Sequence, residues 1–389
     1  MFSRQSETFM TENQFISSDQ IEGYPHPKLT KTLFGHETQE KEFIDCYKSG
    51  KPHHAWLITG ARGIGKATLA WRLAKFILTQ PVKSFNAISL FSEANQRHHN
   101  ELDDKTKDSI ETKILAEAEP RLSVTRRSFD EKRKKFRSNI RVDEIRRLNS
   151  FFSLSVSDGG SRVAIIDCVD DLNINAANAL LKTLEEPPKD TVFLLISHNP
   201  ESLLETIRSR CRELRLANLS ENNLFSALKQ INLNIPEKDK EIYSLLASGS
   251  VGNSIRLLKH DGANLYSSIL LFLNELPNLK GFELEKFVST FEGAKNRDRL
   301  ELLIELLNIA IARISKSGVL GANFTNQALK DEHDIFRKLC PNPNIAKKWA
   351  DLAQTQSKNL SHGLSVNLDP GSLILDTFFR IEDCAKTIR

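Results

Sequence analysis

Three short apolar runs stand out along the chain, each bounded by polar residues. Uninterrupted runs of this length are typical of strands buried on both faces of a parallel sheet. Two neighbouring segments repeat apolar residues every three or four positions, as one face of a helix does. Strands that alternate with helices predict a parallel sheet covered on both sides. The predicted strands are 55–59, 163–169 and 192–197, and the predicted helices are 68–78 and 174–185.

The pattern becomes helical after residue 216. Ser220 is a predicted N-cap, and residues 240–259 indicate a helical pair interrupted at Gly249 and Gly252. From residue 261 onward the periodicity is helical throughout, most clearly over 303–314. The fold class is therefore α/β plus all-α, with the sheet in the N-terminal part.

Two stretches depart from this pattern. Residues 1–22 are polar and lack the apolar run of a secretory signal, so we expect a loosely ordered leader. Residues from about 81 to 139 are polar and long for a connection, which indicates an insertion. A run of basic residues in it is expected to be a solvated face, with a nucleic-acid contact as the alternative. The run comprises Lys132, Arg133, Lys134, Lys135 and Arg137.

Composition narrows the class of protein. A chain of 389 residues with 40% hydrophobic and 27% charged residues is ordinary for a globular protein of two or three domains. A net charge of +4 is too small to indicate nucleic-acid binding by itself. The five cysteines are far apart, which predicts neither a zinc site nor a disulfide framework. We therefore expect a reduced, cytoplasmic protein with no metal and no membrane contact.

A glycine-rich loop follows the first predicted strand, with the sequence Gly60-Ala-Arg-Gly-Ile-Gly-Lys66-Ala67-Thr68. It matches G-x-x-x-x-G-K, the phosphate-binding P-loop. Gly60, Gly63 and Gly65 let backbone N–H groups close around phosphates, and Lys66 supplies a positive charge. In this strand–loop–helix context the motif predicts a P-loop fold.

The catalytic parts of this site are incomplete. A catalytically active P-loop has Ser or Thr after the lysine to bind magnesium, whereas the side chain of Ala67 has no oxygen. Thr68 lies about 100° further round the helix and is not expected to replace it. Asp167 ends the second strand and could face a metal, but the glutamate expected next is Cys168, whose ordinary thiol is mostly protonated at neutral pH. We expect no ATP hydrolysis; the loop is either a scaffold or a weak residual ATP site.

Four segments resemble the bacterial clamp-loader family of AAA+ proteins, and within it the delta-prime type. The most specific is Asn-Ala-Ala-Asn-Ala-Leu-Leu-Lys-Thr-Leu-Glu-Glu-Pro-Pro at 175–188, and another contains a Ser-Arg-Cys triplet at 209–211. The others are 53–60 and 140–146. The similarity covers about 24–216, and Asn367-Leu-Asp-Pro370 with the helix after it resembles the end of the family's collar domain.

The resemblance implies the domain organisation and the partners. It gives an AAA+ P-loop-like domain at 23–216, a small helical lid domain at 217–260 and a helical collar at 261–389 that holds the subunit in a ring. The implied partners are gamma/tau-type and delta-type subunits, with the sliding clamp and primed DNA reached through the complex. No cofactor is required, and the cysteine-free insertion lacks the four-cysteine zinc module of many members.

The resemblance also assigns a role to Arg210 in the triplet. It is the position of an arginine finger that reaches a neighbour's ATP. Residues 249–254 lack the lid arginine of the catalytic subunits, a further missing ATPase part. We therefore expect a non-catalytic subunit; the alternatives are an active motor ATPase and a general nucleic-acid-binding module.

Overall fold

The computed structural model describes residues 17–49, 52–80, 108–132, 134–153, 160–291, 297–324, 327–365 and 369–387. The chain forms two compact units, Met1–Asn232 and Leu233–Arg389. Described strands lie in the first unit, and the described elements of the second are helical. The predicted division into a lid at 217–260 and a collar at 261–389 stays a prediction.

A five-stranded parallel sheet organises the first unit, with the strand order β2-β5-β6-β1-β7. The strands β1, β5 and β6 form its centre and are apolar and almost wholly buried, which explains their uninterrupted apolar runs. A two-stranded antiparallel hairpin, β3–β4, follows β2. The strands are β1 (Ala55–Thr59), β2 (Leu122–Arg126), β3 (Phe129–Asp130), β4 (Lys135–Phe136), β5 (Arg162–Asp167), β6 (Thr191–Ile196) and β7 (Arg212–Arg215).

Helices cover both faces of this sheet, as the alternating pattern predicted. Alternate residues of β1 divide between two cores: Trp56 and Ile58 pack with α1 and α2, whereas Ala55 and Leu57 pack with α3 and α4. Ser220 caps the last helix of the unit by accepting from the Asn223 N–H, as predicted. The helices are α1 (Glu37–Lys48), α2 (Lys66–Thr79), α3 (Val142–Ser153), α4 (Ile174–Glu185), α5 (Glu205–Arg208) and α6 (Glu221–Gln230), with a further helical stretch at 108–115.

The predicted insertion at about 81–139 is wrong for its second half. Strand β2 lies inside it and pairs in parallel with β5, from Leu122 opposite Val163 to Arg126 opposite Asp167. Its residues are mostly half-buried because β2 is an edge strand, so it shows no apolar run. The basic run lies on the β3–β4 hairpin, where Lys132, Lys134 and Lys135 are exposed. Residues 81–107 and Arg133 lie outside the described residues.

The expected loose leader is wrong for residues 17–22. The Asp19 side chain is buried and pairs with His26 at 3.0 Å and with Arg126 at 3.1 Å. This contact holds the segment against the end of β2. An isolated polar stretch gives no sign of such a partner, because Arg126 lies more than 100 positions away in the sequence. Residues 1–16 lie outside the described residues.

The second unit is built around the long helix α11. Its apolar residues between 303 and 314 are buried against α9, α12 and α13, which confirms the predicted helical face. Gly249 separates α7 from α8 with a φ of +74°, but Gly252 lies within α8, so the break predicted there is wrong. The helices are α7 (Lys240–Ala247), α8 (Val251–Lys259), α9 (Gly262–Glu275), α10 (Gly281–Ser289), α11 (Arg297–Leu320), α12 (Glu332–Leu339), α13 (Pro343–Ser365) and α14 (Pro370–Lys386).

A buried ion pair joins three of these helices. Glu332 at the start of α12 is fully buried, and its carboxylate accepts hydrogen bonds from Arg313 of α11 and Tyr266 of α9. Each of its oxygens therefore has partners, as a buried charge requires. Within the described residues, none of the helices combines the length and apolar character that a bilayer crossing requires.

Candidate functional site

The P-loop connects the C-terminal end of β1 to the start of α2, as the sequence predicted. Gly60, Gly63 and Gly65 have positive φ values of +136°, +77° and +109°, which residues other than glycine rarely adopt. A Cβ atom on Gly60 would lie 2.6 Å from the carbonyl oxygen of Leu216. Glycine is therefore required here both for the backbone conformation and for the close approach to the chain after β7.

Lys66 is buried within its own loop, with 3% of its surface exposed. Its Nζ donates to the carbonyl oxygens of Gly60 at 2.7 Å and Ala61 at 2.5 Å. Burial lowers the pKa of the ammonium group to about 8, although nearby Asp167 and Asp170 oppose that shift. A phosphate that entered the loop would have to exchange with these two carbonyl oxygens.

The residues around Lys66 do not fit magnesium-dependent hydrolysis. Ala67 packs against the hydrophobic core and offers no hydroxyl, and Thr68 is half-buried one position further along α2. Cys168 also belongs to the core, and burial raises the pKa of its thiol, with the acidic residues Asp171 and Asp170 adding to the shift. Cys168 is therefore a protonated thiol at neutral pH and not a base.

Asp167 ends β5 at the same edge of the sheet as the P-loop. Burial raises the pKa of its carboxyl to about 7, and the negative charge of Asp19 adds to this shift, while Lys66 and Arg126 oppose it. Near neutral pH the group is thus partly protonated. Among the described residues, no cluster of three or more His, Cys, Asp or Glu side chains could hold a metal ion.

Sequence reasoning missed a polar turn beside this loop. Asp170 accepts hydrogen bonds from Ser197 Oγ at 2.7 Å and from the His198 backbone N–H at 2.5 Å, which fixes the chain after β6. Burial, together with the positive charges of Lys66 and Arg62, lowers the pKa of His198 to about 4. The sequence does carry a sign of this turn: polar residues 197–199 directly follow the buried strand β6. Loops at the carboxyl ends of parallel strands often form binding sites.

Arg210 lies on a turn whose neighbouring residues pack against the hydrophobic core. The preceding helix α5 buries Ile207, and Cys211 packs against the same core, so Arg210 between them points outward. Its guanidinium forms an ion pair with Glu185 at 2.8 Å and donates to the Thr206 carbonyl oxygen at 2.9 Å. The packing of Ile207 and Cys211 thus holds the turn that carries the half-exposed Arg210.

Arg210 and the P-loop lie at opposite edges of the sheet. Arg210 comes just before β7, which runs parallel to β1, whereas the P-loop comes just after β1. Strands of four or five residues rise about 3.3 Å per residue, which separates the two edges by more than 10 Å. The structure therefore does not bring Arg210 together with Lys66 and Asp167, and Arg210 faces away from the chain's own loop.

Comparison with known proteins gives the family. A family model described as DNA polymerase III, delta subunit, matches residues 35–220, close to the region 24–216 that carries the motifs. A DNA polymerase III subunit gamma of Buchnera aphidicola is 30% identical over 79% of this chain and 77% of its own length. This chain belongs to the clamp-loader subunit family of DNA polymerase III. A clamp-loader role in DNA replication follows from this membership.

Other members of the family and a solved structure are also similar to this clamp-loader subunit. A DNA polymerase III subunit delta' of Pseudomonas aeruginosa is 37% identical over 41% of each chain. The crystal structure of a gamma subunit-related protein of Thermotoga maritima has 16% identity and a TM-score of 0.36, covering 90% of this chain and 99% of that one. Relatives named gamma and relatives named delta' thus both match.

Proposed function

We propose that this chain is a non-catalytic subunit of the delta-prime type in the clamp loader of DNA polymerase III. In this proposal it acts in the cytoplasm beside gamma/tau-type and delta-type subunits in a ring that loads the sliding clamp onto primed DNA. It requires no cofactor of its own and supplies Arg210 to the ATP of a neighbouring subunit. The observation that carries the proposal is the position of Arg210 at the sheet edge opposite the P-loop.

The chemistry around Lys66 supports the non-catalytic part of this proposal. The loop lacks the magnesium-binding hydroxyl at Ala67, and the base position holds the buried Cys168. The alternative, an active ATPase of the clamp-loader or DNA-remodelling type, requires both groups. The purified chain should show no ATP turnover above a Lys66→Ala control, with or without DNA. Turnover that depends on Lys66 would favour the active ATPase.

Arg210→Ala tests the arginine finger in the assembled complex. An arginine finger supplied in trans is worth about 10³–10⁵ in rate at its site, and a ring with several sites shows a smaller total loss. We expect lower ATP hydrolysis stimulated by DNA and clamp, and less clamp loading, with unchanged assembly. Arg210→Lys should restore little, because an ammonium group lacks the planar fork of a guanidinium.

Arg208→Ala is the matched control for this experiment. Arg208 is an exposed arginine two positions earlier on α5, so its removal changes the charge equally without touching the predicted finger. Thermal melting of each isolated variant checks the fold. If Arg210→Ala and Arg208→Ala gave the same hydrolysis as the wild-type complex, Arg210 would be a structural residue and the proposal would fail.

A further inference from the structure

The guanidinium of Arg210 has three contacts, and all of them lie within its own domain. One terminal nitrogen pairs with Glu185 Oε1 at 2.8 Å, and the other donates to the carbonyl oxygen of Thr206 at 2.9 Å and to Ser209 Oγ at 3.4 Å. The side chains of Glu185 and Arg210 are 48% and 34% exposed. The pair is therefore formed at the surface, where another molecule could compete for the guanidinium.

The sequence places Glu185 at this point for a clear reason. It is the last residue of α4, and Pro187 and Pro188 prevent the helix from continuing. The Glu186 N–H closes the final turn by donating to the Lys182 carbonyl oxygen. The C-terminal end of a helix also carries a partial negative charge, which favours a cation nearby. Glu185 and the helix end thus attract Arg210 together.

We propose that Glu185 is the resting counter-ion of Arg210, a positioning residue that holds the guanidinium against α4 until the terminal phosphate of a neighbour's nucleotide displaces it. This inference rests on the proposed function and adds a second residue to it. The exchange transfers no proton and breaks no covalent bond. One charge-assisted hydrogen bond, from the guanidinium to a carboxylate, is replaced by hydrogen bonds to phosphate oxygens.

The strength of the pair suits such an exchange. An exposed ion pair stabilises its geometry only weakly, so binding at an interface can break it. A terminal phosphate carries more negative charge than a carboxylate and accepts bidentate bonds from arginine, so it wins the competition. A diphosphate lacks that terminal group, and Glu185 then keeps Arg210. The carboxylate therefore makes the arginine respond to the triphosphate.

Glu185→Gln in the reconstituted complex tests this inference by a titration with ATP of the hydrolysis stimulated by DNA and clamp. Glutamine keeps the size of the side chain but removes the competing charge. We expect the KM for ATP to fall by about 1.4- to fivefold, the range that corresponds to an exposed ion pair, while kcat stays unchanged. A merely structural role for Glu185 would not separate KM from kcat in this way.

Two further variants make the result specific. Glu186→Gln removes the charge of the adjacent exposed glutamate and should leave KM unchanged. In an Arg210→Ala background, Glu185→Gln should have no effect, because the residue that it restrains is gone. If Arg210→Ala lowers hydrolysis but Glu185→Gln gives no lower KM, the counter-ion proposal is overturned and the finger remains. If Arg210→Ala changes nothing, the proposed function fails, and this inference fails with it.

Discussion

Glu332→Gln removes a fully buried charge from the centre of the second unit. Its Oε1 accepts from Arg313 Nε at 2.7 Å and from the Tyr266 hydroxyl at 2.6 Å, and its Oε2 accepts from an Arg313 terminal nitrogen at 2.9 Å. Oε2 also accepts from the Ala328 backbone N–H. Glutamine has nearly the same volume, but its NH₂ group faces donors at one of these two positions and cannot accept.

The expected loss follows from the burial of both partners. The side chain of Arg313 is only 13% exposed, so its charge stays in the interior after its counter-ion is neutralised. Removing one partner of a buried ion pair typically lowers the free energy of unfolding by about 3–5 kcal/mol. Since domains are stable by about 5–15 kcal/mol, the second unit would lose a large part of its stability.

Urea denaturation followed by circular dichroism measures this loss, because the described elements of the second unit are helical. Glu305→Gln is the control: Glu305 pairs with Arg256 at 2.9 Å, but it is 47% exposed. That variant should lose no more than about 1 kcal/mol. Equal losses in the two variants, or a loss below about 1 kcal/mol for Glu332→Gln, would refute the argument from burial.

Three further predictions concern other parts of the chain. Burial raises the pKa of Asp167 from 3.8 to about 7, so the contribution of this carboxyl to the stability of wild type falls as pH rises between these values. Urea denaturation should therefore show Asp167→Asn gaining stability relative to wild type from about pH 5 to pH 8, and a constant difference would contradict this. Gly262→Ala should lower the melting temperature, since its Cβ would clash with the buried Leu257 side chain and lie 3.1 Å from the Leu257 Cα, whereas Gly281→Ala, with open space there, should not. Metal analysis should find no stoichiometric zinc, and one zinc per chain would disprove this.

The central elements of the first unit could be predicted from the sequence because each carries its own signal. The bounds of β1 and α4 agree with the predicted 55–59 and 174–185, and β5 and β6 differ from prediction by no more than two residues at either end. Edge strands carry no such signal: β7 buries one residue, Leu214, and β2 is mostly half-buried. Their place in the sheet depends on partners far away in the sequence.

Only those parts of the site that lie within one continuous sequence motif could be predicted. The glycines and Lys66 form one continuous motif, so their arrangement follows from the sequence. The pairing of Arg210 with Glu185 joins residues 25 positions apart, and the raised pKa of Asp167 depends on burial and on the charge of Asp19 from the N-terminal segment. Such contacts arise from tertiary packing, and periodicity along the chain does not reveal them.

The parallel alignment of β1 and β7 gives this domain a direction. A repeating unit that receives nucleotide at one edge and offers an arginine at the other can be joined head to tail with others like it. On the proposed function, this unit keeps the edge that carries the arginine, whereas the edge that carries the P-loop no longer supports hydrolysis. It can then supply an arginine to the ATP of a catalytic neighbour, but it has no active site that another neighbour's arginine could complete. It would therefore mark the end of the row of active sites in a ring.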